Sequence, residues 1–317
     1  MSEIGAIQGD NALWNIKSPQ GAGPAGSAAA ASSSSGGSAA AAAASSGSGA
    51  VSSDLINYSE DLSEELTENP DYMKQQEPIV IRGTEGNDKI KVKQHKDGSV
   101  TVKVNGQKMK FSPEEAQRLV IDAGGGNDKI KVNKNVKYDL TLQGGDGNDR
   151  IKGGSGNDTI DGGAGNDVIR GKKGDDCIEG SEGNDRIRGG KGNDCINGGN
   201  GNDKIRGGRG DDELYGGDGD DKIRGGKGND CICGGDGDDK LRGGRGDDFI
   251  HGSTGNDRIR GGRGNDTIYG GDGNDVIRGR QGNDTIYGEE GDDKLHGGRG
   301  KDQIDGGEGN NKIYDRK

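Results

Sequence analysis

The chain has 317 residues, of which 68 are Gly, and only 26% are hydrophobic, with two Phe and one Trp. Such a composition excludes a conventional globular core, and without a Gly-X-Y period it excludes collagen, which leaves disorder or a repeat architecture. The net charge of -12 is a difference between 55 acids and 43 bases, so the placement of charge matters more than its total.

Residues 1–53 are Ala-, Ser- and Gly-rich, with runs such as "SAAAASSSSGGSAAAAAASSGSG". This segment is expected to be disordered and is a candidate secretion signal. It lacks a charged n-region followed by an apolar core, so no Sec-type signal peptide is expected. Residues 54–78 are acidic and suit a short helix before Pro70. Residues 79–143 read as an irregular N-terminal cap. "GTEGNDKIK" (83–91) and "AGGGNDKIK" (123–131) look like degenerate copies of a unit that becomes regular later. Between them "SVTVKVNGQKMKF" predicts a hairpin turning at Asn105-Gly106. "SPEEAQRL" predicts a short helix with Ser112 as N-cap and Pro113 in the first turn.

From Gly144 to Tyr314 the chain divides into 19 uninterrupted nonapeptides, such as "GGDGNDRIK" (144–152) and "GGDGDDKLR" (234–242). Positions one and four are always Gly, position six is Asp in 18 of 19 units, and position eight is always Ile or Leu. One apolar residue between two outward ones is strand periodicity. A single Ile per nine residues buries itself only when many units stack, so the pattern predicts a two-sheet solenoid with a ladder from Ile151 to Ile313. So thin a core needs a second stabiliser. Regular Asp in glycine-rich turns suits Ca²⁺, which takes carboxylate and carbonyl oxygens.

The units also alternate. Odd-numbered units flank the apolar residue with cations, as in Arg186/Arg188, Lys204/Arg206 and Lys222/Arg224. Even units carry Thr, Cys or Tyr there, as in Cys177, Cys195, Thr267/Tyr269 and Thr285/Tyr287. The coil is therefore 18 residues, and coils stack about 4.8 Å apart. The expected surface is one cationic face continued onto a basic edge, with a neutral face opposite. "RGG" and the two "RGD" triplets (209–211, 245–247) fall inside this clock and are by-products of it.

The nonapeptide G-G-x-G-x-D-x-U-x resembles the repeat of RTX (hemolysin-type) calcium-binding proteins. The resemblance implies an all-β fold: a parallel β-roll, or two-sheet solenoid of 18 residues per coil, behind a disordered N-terminal region. It implies multiple Ca²⁺ ions held between neighbouring coils by sixth-position Asp and turn carbonyls. Carried over residue by residue, the ligands are Asp149, Asp158, Asp167, Asp176, Asp185, Asp194, Asp203, Asp212, Asp221, Asp230, Asp239, Asp248, Asp257, Asp266, Asp275, Asp284, Asp293 and Asp302, with Asp88 and Asp128 from the degenerate units. Asn311 replaces Asp in the last unit, and a weak or empty site is expected there.

No HExxH, GxSxG or P-loop occurs, and His95, His251 and His296 are scattered, so no enzyme is expected. Cys177, Cys195, Cys231 and Cys233 lie in line along one face and suit neither a disulfide framework nor a converging zinc site. No run approaches 18 apolar residues, so no membrane span is expected. The functional expectation is a secreted, monomeric calcium-binding roll whose folding is driven by extracellular Ca²⁺, with an effector, adhesin or structural surface role. RTX relatives are bacterial and exported by type I machinery. Their export signal follows the repeats, whereas here only three residues follow, so type I and type III secretion machinery both stay open as partners. The alternative is a Ca²⁺-dependent module that binds a polyanion (lipopolysaccharide, acidic polysaccharide or nucleic acid) through its Lys/Arg ladder.

Overall fold

The computed structural model describes residues 77–314. The segment 1–53 and all but the end of 54–78 lie outside them. The described chain is a parallel β-solenoid of two sheets with almost no helix. Strands leave one sheet, turn, enter the other and return, so each sheet takes every second strand. The neutral-unit sheet runs from β1 (Ile79–Thr84) through β5 (Leu119–Gly124) and β7 (Thr141–Asp146) to β25 (Gln303–Asp305). The cationic-unit sheet runs from β2 (Lys89–Gln94) through β6 (Lys129–Val132) and β8 (Arg150–Lys152) to β26 (Lys312–Tyr314).

Register follows the sequence period. Successive coils are offset by 40 residues at first, then 21, then 18 throughout the repeats. The long first coil holds an antiparallel hairpin, β3 (Val100–Val104) and β4 (Gln107–Phe111), which extends the edge of the cationic-unit sheet. Its turn lies at Asn105 and Gly106, both with positive φ (48° and 102°), as a two-residue hairpin turn requires. A single helical turn follows, α1 (Pro113–Ala116). Ser112 Oγ accepts from the Glu115 N–H, and the Glu115 carboxylate accepts from the Ser112 N–H, so the predicted cap is closed.

The core is a column of side chains one residue wide along each sheet. Every eighth-position residue from Ile151 to Leu295 is buried. The ladder stops short of its expected end: Ile304 is half-buried and Ile313 is 49% exposed, because no described coil covers the last one.

Two surface expectations need correction. Most strands of the repeats run six residues, not three: in β12 (Arg186–Lys191) the pattern is exposed, buried, exposed, buried, intermediate, exposed. The second-position residue has positive φ (Gly190, 141°), which breaks the alternation and leaves the third position outward. Third-position bases therefore lie on the cationic sheet itself and not along an edge. For the same reason third-position acids such as Asp218, Asp236 and Asp272 lie in the strands of the opposite sheet, which is acidic where a neutral face was expected.

Candidate metal centre

The turns between the sheets carry the fifth and sixth positions, which hydrogen-bond along the stack in opposite directions. At position five the side-chain oxygen accepts from the backbone N–H of the next coil, as in Asn166 N–H to Asn148 Oδ1 at 2.8 Å and Asn229 N–H to Asp211 Oδ1 at 2.7 Å. One acceptor oxygen satisfies this ladder, which explains why Asn and Asp interchange there. At position six, Oδ1 accepts from the N–H of the previous coil: Asp203 N–H to Asp221 Oδ1 at 2.7 Å, Asp212 N–H to Asp230 Oδ1 at 3.1 Å. Asn would serve for that bond alone, yet Asp stands there in 18 of 19 units. The second oxygen is the difference.

That second oxygen is buried and unpaired. Oδ2 has no hydrogen-bond partner in Asp128, Asp149, Asp167, Asp176, Asp185, Asp194, Asp203, Asp212, Asp221, Asp230, Asp239, Asp248, Asp257, Asp266, Asp275, Asp284, Asp293 and Asp302. From Asp149 to Asp293 these residues are at most 2% exposed. A buried carboxylate without a counter-charge is costly and raises its own pKa. Burial, and then the neighbouring Asp residues, push Asp176 up to about 8, and Asp149, Asp185, Asp221 and Asp239 up to about 7. Asp203, whose shift comes from burial, is pushed up to about 6. Unpaired, crowded oxygens of this kind fit a hard divalent cation.

Carbonyls share the space. A Cβ on Gly198 would overlap both Asp203 Oδ2 and the Gly216 carbonyl of the next coil, and one on Gly216 would overlap Asp221 Oδ2 and the Gly234 carbonyl. The first-position glycine thus leaves room where oxygens from two coils converge. Among the described residues no three His, Cys, Asp or Glu side chains form a metal-holding group, so carboxylates here would share any coordination shell with carbonyl and water oxygens.

Three expected positions differ from this scheme. Asp88 is buried, but Asn105 donates to its Oδ1 and Thr84 to its Oδ2, through N–H and Oγ1. Asp158 accepts the Gly154 N–H on Oδ2 at 2.6 Å and the Leu140 N–H on Oδ1 at 3.1 Å. Beside it, the Lys172 ammonium donates to the carbonyls of Val132 (2.9 Å) and Gly153. At the other end the Asn311 side-chain nitrogen donates to the carbonyls of Gly306 (2.8 Å), Gly307 (3.3 Å) and Glu308 (3.3 Å). Near both ends a nitrogen of the chain itself takes the turn carbonyls. The Asn311 departure is visible in the sequence. The Lys172 insertion was missed, and its only signal is a long cation at the second position of "GKKGDDCIE", where Gly is usual.

The cysteines are free, and Cys177 and Cys195 are directly opposed on adjacent strands β11 (Cys177–Glu179) and β13 (Cys195–Asn200). The neighbouring Cys195 thiol holds the Cys177 thiol below its usual value.

No curated protein matches the chain. The family model of the RTX calcium-binding nonapeptide repeat matches residues 143–176, 170–205, 197–232, 234–268, 251–286 and 278–313, more than half of the 317 residues. With that match over a stacked roll whose turns aim unpaired carboxylate oxygens at neighbouring carbonyls, the chain belongs to the RTX family and is a calcium-binding β-roll protein.

Proposed function

We propose that this roll is a secreted, non-enzymatic module whose folding is gated by extracellular calcium, and that it serves as an effector, an adhesin or a structural surface element. Its ligands would be the sixth-position Asp residues with an unpaired Oδ2, from Asp128 and Asp149 to Asp302. Asp88 and Asp158 would contribute least, since their oxygens already have partners. Bound calcium supplies divalent positive charge that neutralises these carboxylates and ties their oxygens to turn carbonyls.

The chain's own residues set the gate. Eighteen Asp residues with an unpaired Oδ2 stand in two stacked rows among the described residues. Each is pushed toward its neutral form by burial or by its neighbours wherever a shift is resolved. Without a cation the ionised rows repel and the turns open. Extracellular modules bind Ca²⁺ at about 10⁻⁴–10⁻³ M, far above cytosolic levels, so the chain would stay unfolded inside a producing cell and fold outside it. The unpaired Oδ2 rows carry this reading.

The test is far-UV circular dichroism of the full chain during a calcium titration, with chelator and with magnesium as controls. A cooperative coil-to-β change near millimolar calcium is expected. A spectrum that neither calcium nor chelator alters would end the proposal.

A further inference from the structure

Charge is sorted between the two sheets almost without exception. Residues 144–314 contain 26 Lys and Arg. All but Lys301 lie in strands of the cationic sheet, from β8 to β26, and those strands contain no Asp or Glu. The strands of the opposite sheet from β7 to β25 contain ten Asp and Glu and no Lys or Arg.

The cations form a grid. In five consecutive strands, β12 (Arg186–Lys191), β14 (Lys204–Arg209), β16 (Lys222–Lys227), β18 (Lys240–Arg245) and β20 (Arg258–Arg263), positions seven, nine and three are all basic and all exposed. Their register is direct: Arg188 pairs with Arg206, Arg206 with Arg224 and Arg224 with Arg242. Rows are about 4.8 Å apart, and like charges so close are destabilising unless compensated. Compensation from within is partial: in the turns, Asp238 lies in the field of Arg258 and Lys240. The three salt bridges among the described residues are Arg82–Asp122, Lys110–Asp97 and His251–Glu289, none of them on this grid. Partial burial and then the neighbouring Arg224, Arg280 and Arg260 hold Arg242 below its usual value.

The shape of the grid narrows the partner. Single-stranded polyanions are held by grooves that track one backbone and by aromatic side chains that stack on bases. This face is three columns wide, belongs to an open sheet and has no aromatic side chain between β8 and β22 (Val276–Gln281). The tyrosines Tyr215, Tyr269 and Tyr287 lie on the other sheet. A broad flat array complements a broad flat array of anions. With strand acids only on the opposite sheet and the remaining acids in the turns between the sheets, the roll also carries a transverse charge asymmetry that would orient it basic side down on such a surface.

We infer that the cationic face of the roll, from β8 to β24 (Lys294–Arg299), docks flat on a lipid surface of anionic phosphate headgroups. The outward residues are mostly basic; Val168 and Val276 are the apolar exceptions among positions seven and nine, and His296 and Gln281 are polar. Attachment is therefore electrostatic and peripheral, with nothing inserted into the hydrocarbon. The inference rests on the calcium-folded roll of the preceding section, because only the folded sheet aligns the grid.

The test is flotation of the full chain with vesicles of phosphatidylglycerol and phosphatidylcholine, against phosphatidylcholine alone. Circular dichroism is recorded on the same samples with and without calcium. The folded chain should float with the anionic vesicles only and detach as salt rises. Replacing Arg188, Arg206, Arg224 and Arg242 by Gln should lower the bound-to-free ratio at least tenfold with the β spectrum kept. Replacing Glu213 by Gln and Asp218, Asp236 and Asp272 by Asn, on the opposite sheet, should not lower it.

A folded roll that ignores anionic vesicles overturns the inference and leaves the calcium reading intact. So does a four-Gln variant that still floats. If calcium changes nothing in the spectrum, the gating fails; flotation of a roll already folded would still uphold the face, and a chain that stays coil and does not float would end both. Tighter binding to a single-stranded oligonucleotide or heparin than to vesicle phosphate, in the same salt, would reassign the face to linear polymers. Salt-sensitive oligomers in sedimentation velocity without lipid, lost in either set of variants, would reassign it to the acidic sheet of a second copy.

Discussion

Residues 79–143 and residues 144–314 build the same two sheets by different means. The first stretch buries fourteen apolar side chains in 65 residues, among them Val100, Val102, Leu119 and Ile121; the second buries seventeen in 171. The first closes one of its two sixth-position carboxylates internally, Asp88 being taken by Thr84 and Asn105, and leaves only Asp128 Oδ2 unpaired. The second leaves a carboxylate oxygen unpaired in all but two of its 19 turns, the exceptions holding Asp158 and Asn311. Ordering a residue costs about 1–2 kcal/mol in backbone entropy, and glycine loses most. One buried Ile per nine residues does not offset that cost. The start of the solenoid is thus an ordinary small core, and the repeats are the part whose folding we propose calcium to gate.

The largest expected effect separates the two regions outright. Chelating calcium should unfold the repeats and spare the start. In hydrogen exchange, amides from β12 to β22 should lose protection by at least about a hundredfold, the scale of a loss of global stability. Those of Val100, Val102 and Ile121 should stay protected. Loss of protection in both regions together would show a single cooperative unit and break the comparison.

Next is pH. In the calcium-free roll, burial and like-charged neighbours raise Asp176 to about 8 and Asp221 and Asp230 to about 7, and burial raises Asp203 to about 6, from an unfolded value near 3.8. The folded chain therefore binds more protons than the unfolded chain between about pH 4 and 8. Stability from these groups is fully present below pH 4 and is lost as pH rises through 6 to 8. Without calcium, acidification from pH 8 to 5 should increase the β signal in circular dichroism. With calcium, protons compete for the same oxygens, so the midpoint calcium concentration should rise as pH falls. An apo spectrum constant over that range would contradict the buried-carboxylate account.

The two turn positions give a finer contrast inside the repeats. Asp221→Asn keeps an acceptor for the Asp203 N–H and loses the ionised second oxygen. It should raise the calcium midpoint nearly as far as Asp221→Ala. Each lost site is worth about 3 kcal/mol when calcium is 100-fold above its Kd. Asp220→Asn, one residue away, keeps the only acceptor that position uses, toward the Asp238 N–H, and should leave the midpoint nearly unchanged. Calcium titrations of the three variants by circular dichroism decide it. Equal shifts at positions 220 and 221 would show that net charge, and not the unpaired oxygen, sets calcium dependence.

The period, the two sheets, the Ile ladder and the sixth-position Asp were readable from the sequence because a strict repeat forces each residue type into one environment. The hairpin at Asn105-Gly106 and the Ser112 cap were readable because their local chemistry closes within a few residues. What escaped was three-dimensional. The third-position bases look like an edge until the positive φ of the second position is seen to turn them outward on the same sheet. Lys172 acts on Gly153 and Val132, 19 and 40 residues away, and no pattern within one nonapeptide reports that. Asp88 keeps the sixth-position signature, yet its oxygens are taken by a hairpin that the other units lack.

The smallest expected effect lies at the last turn, where the chain substitutes for the cation. Asn311 Oδ1 accepts the Asp293 N–H at 2.8 Å, as every sixth-position Asp does for its neighbour, while its nitrogen donates to three turn carbonyls. Those carbonyls are the kind of oxygen that elsewhere faces an unpaired Oδ2. Asn311→Asp keeps the bond to Asp293 and replaces the donor by a second oxygen, so carboxylate and carbonyls face one another without a proton between them. The change converts a self-satisfied turn into one that needs a cation. Direct counting of bound calcium should then find about one more ion per chain, by the same one-carboxylate-and-carbonyl logic, with the midpoint moved less than about twofold because only the end of the stack is touched. Asn311→Ala should leave the count unchanged. An Asp variant with the same count as Asn would mean that the last turn, with no described coil after it, supplies too few oxygens, and that a site needs two complete coils.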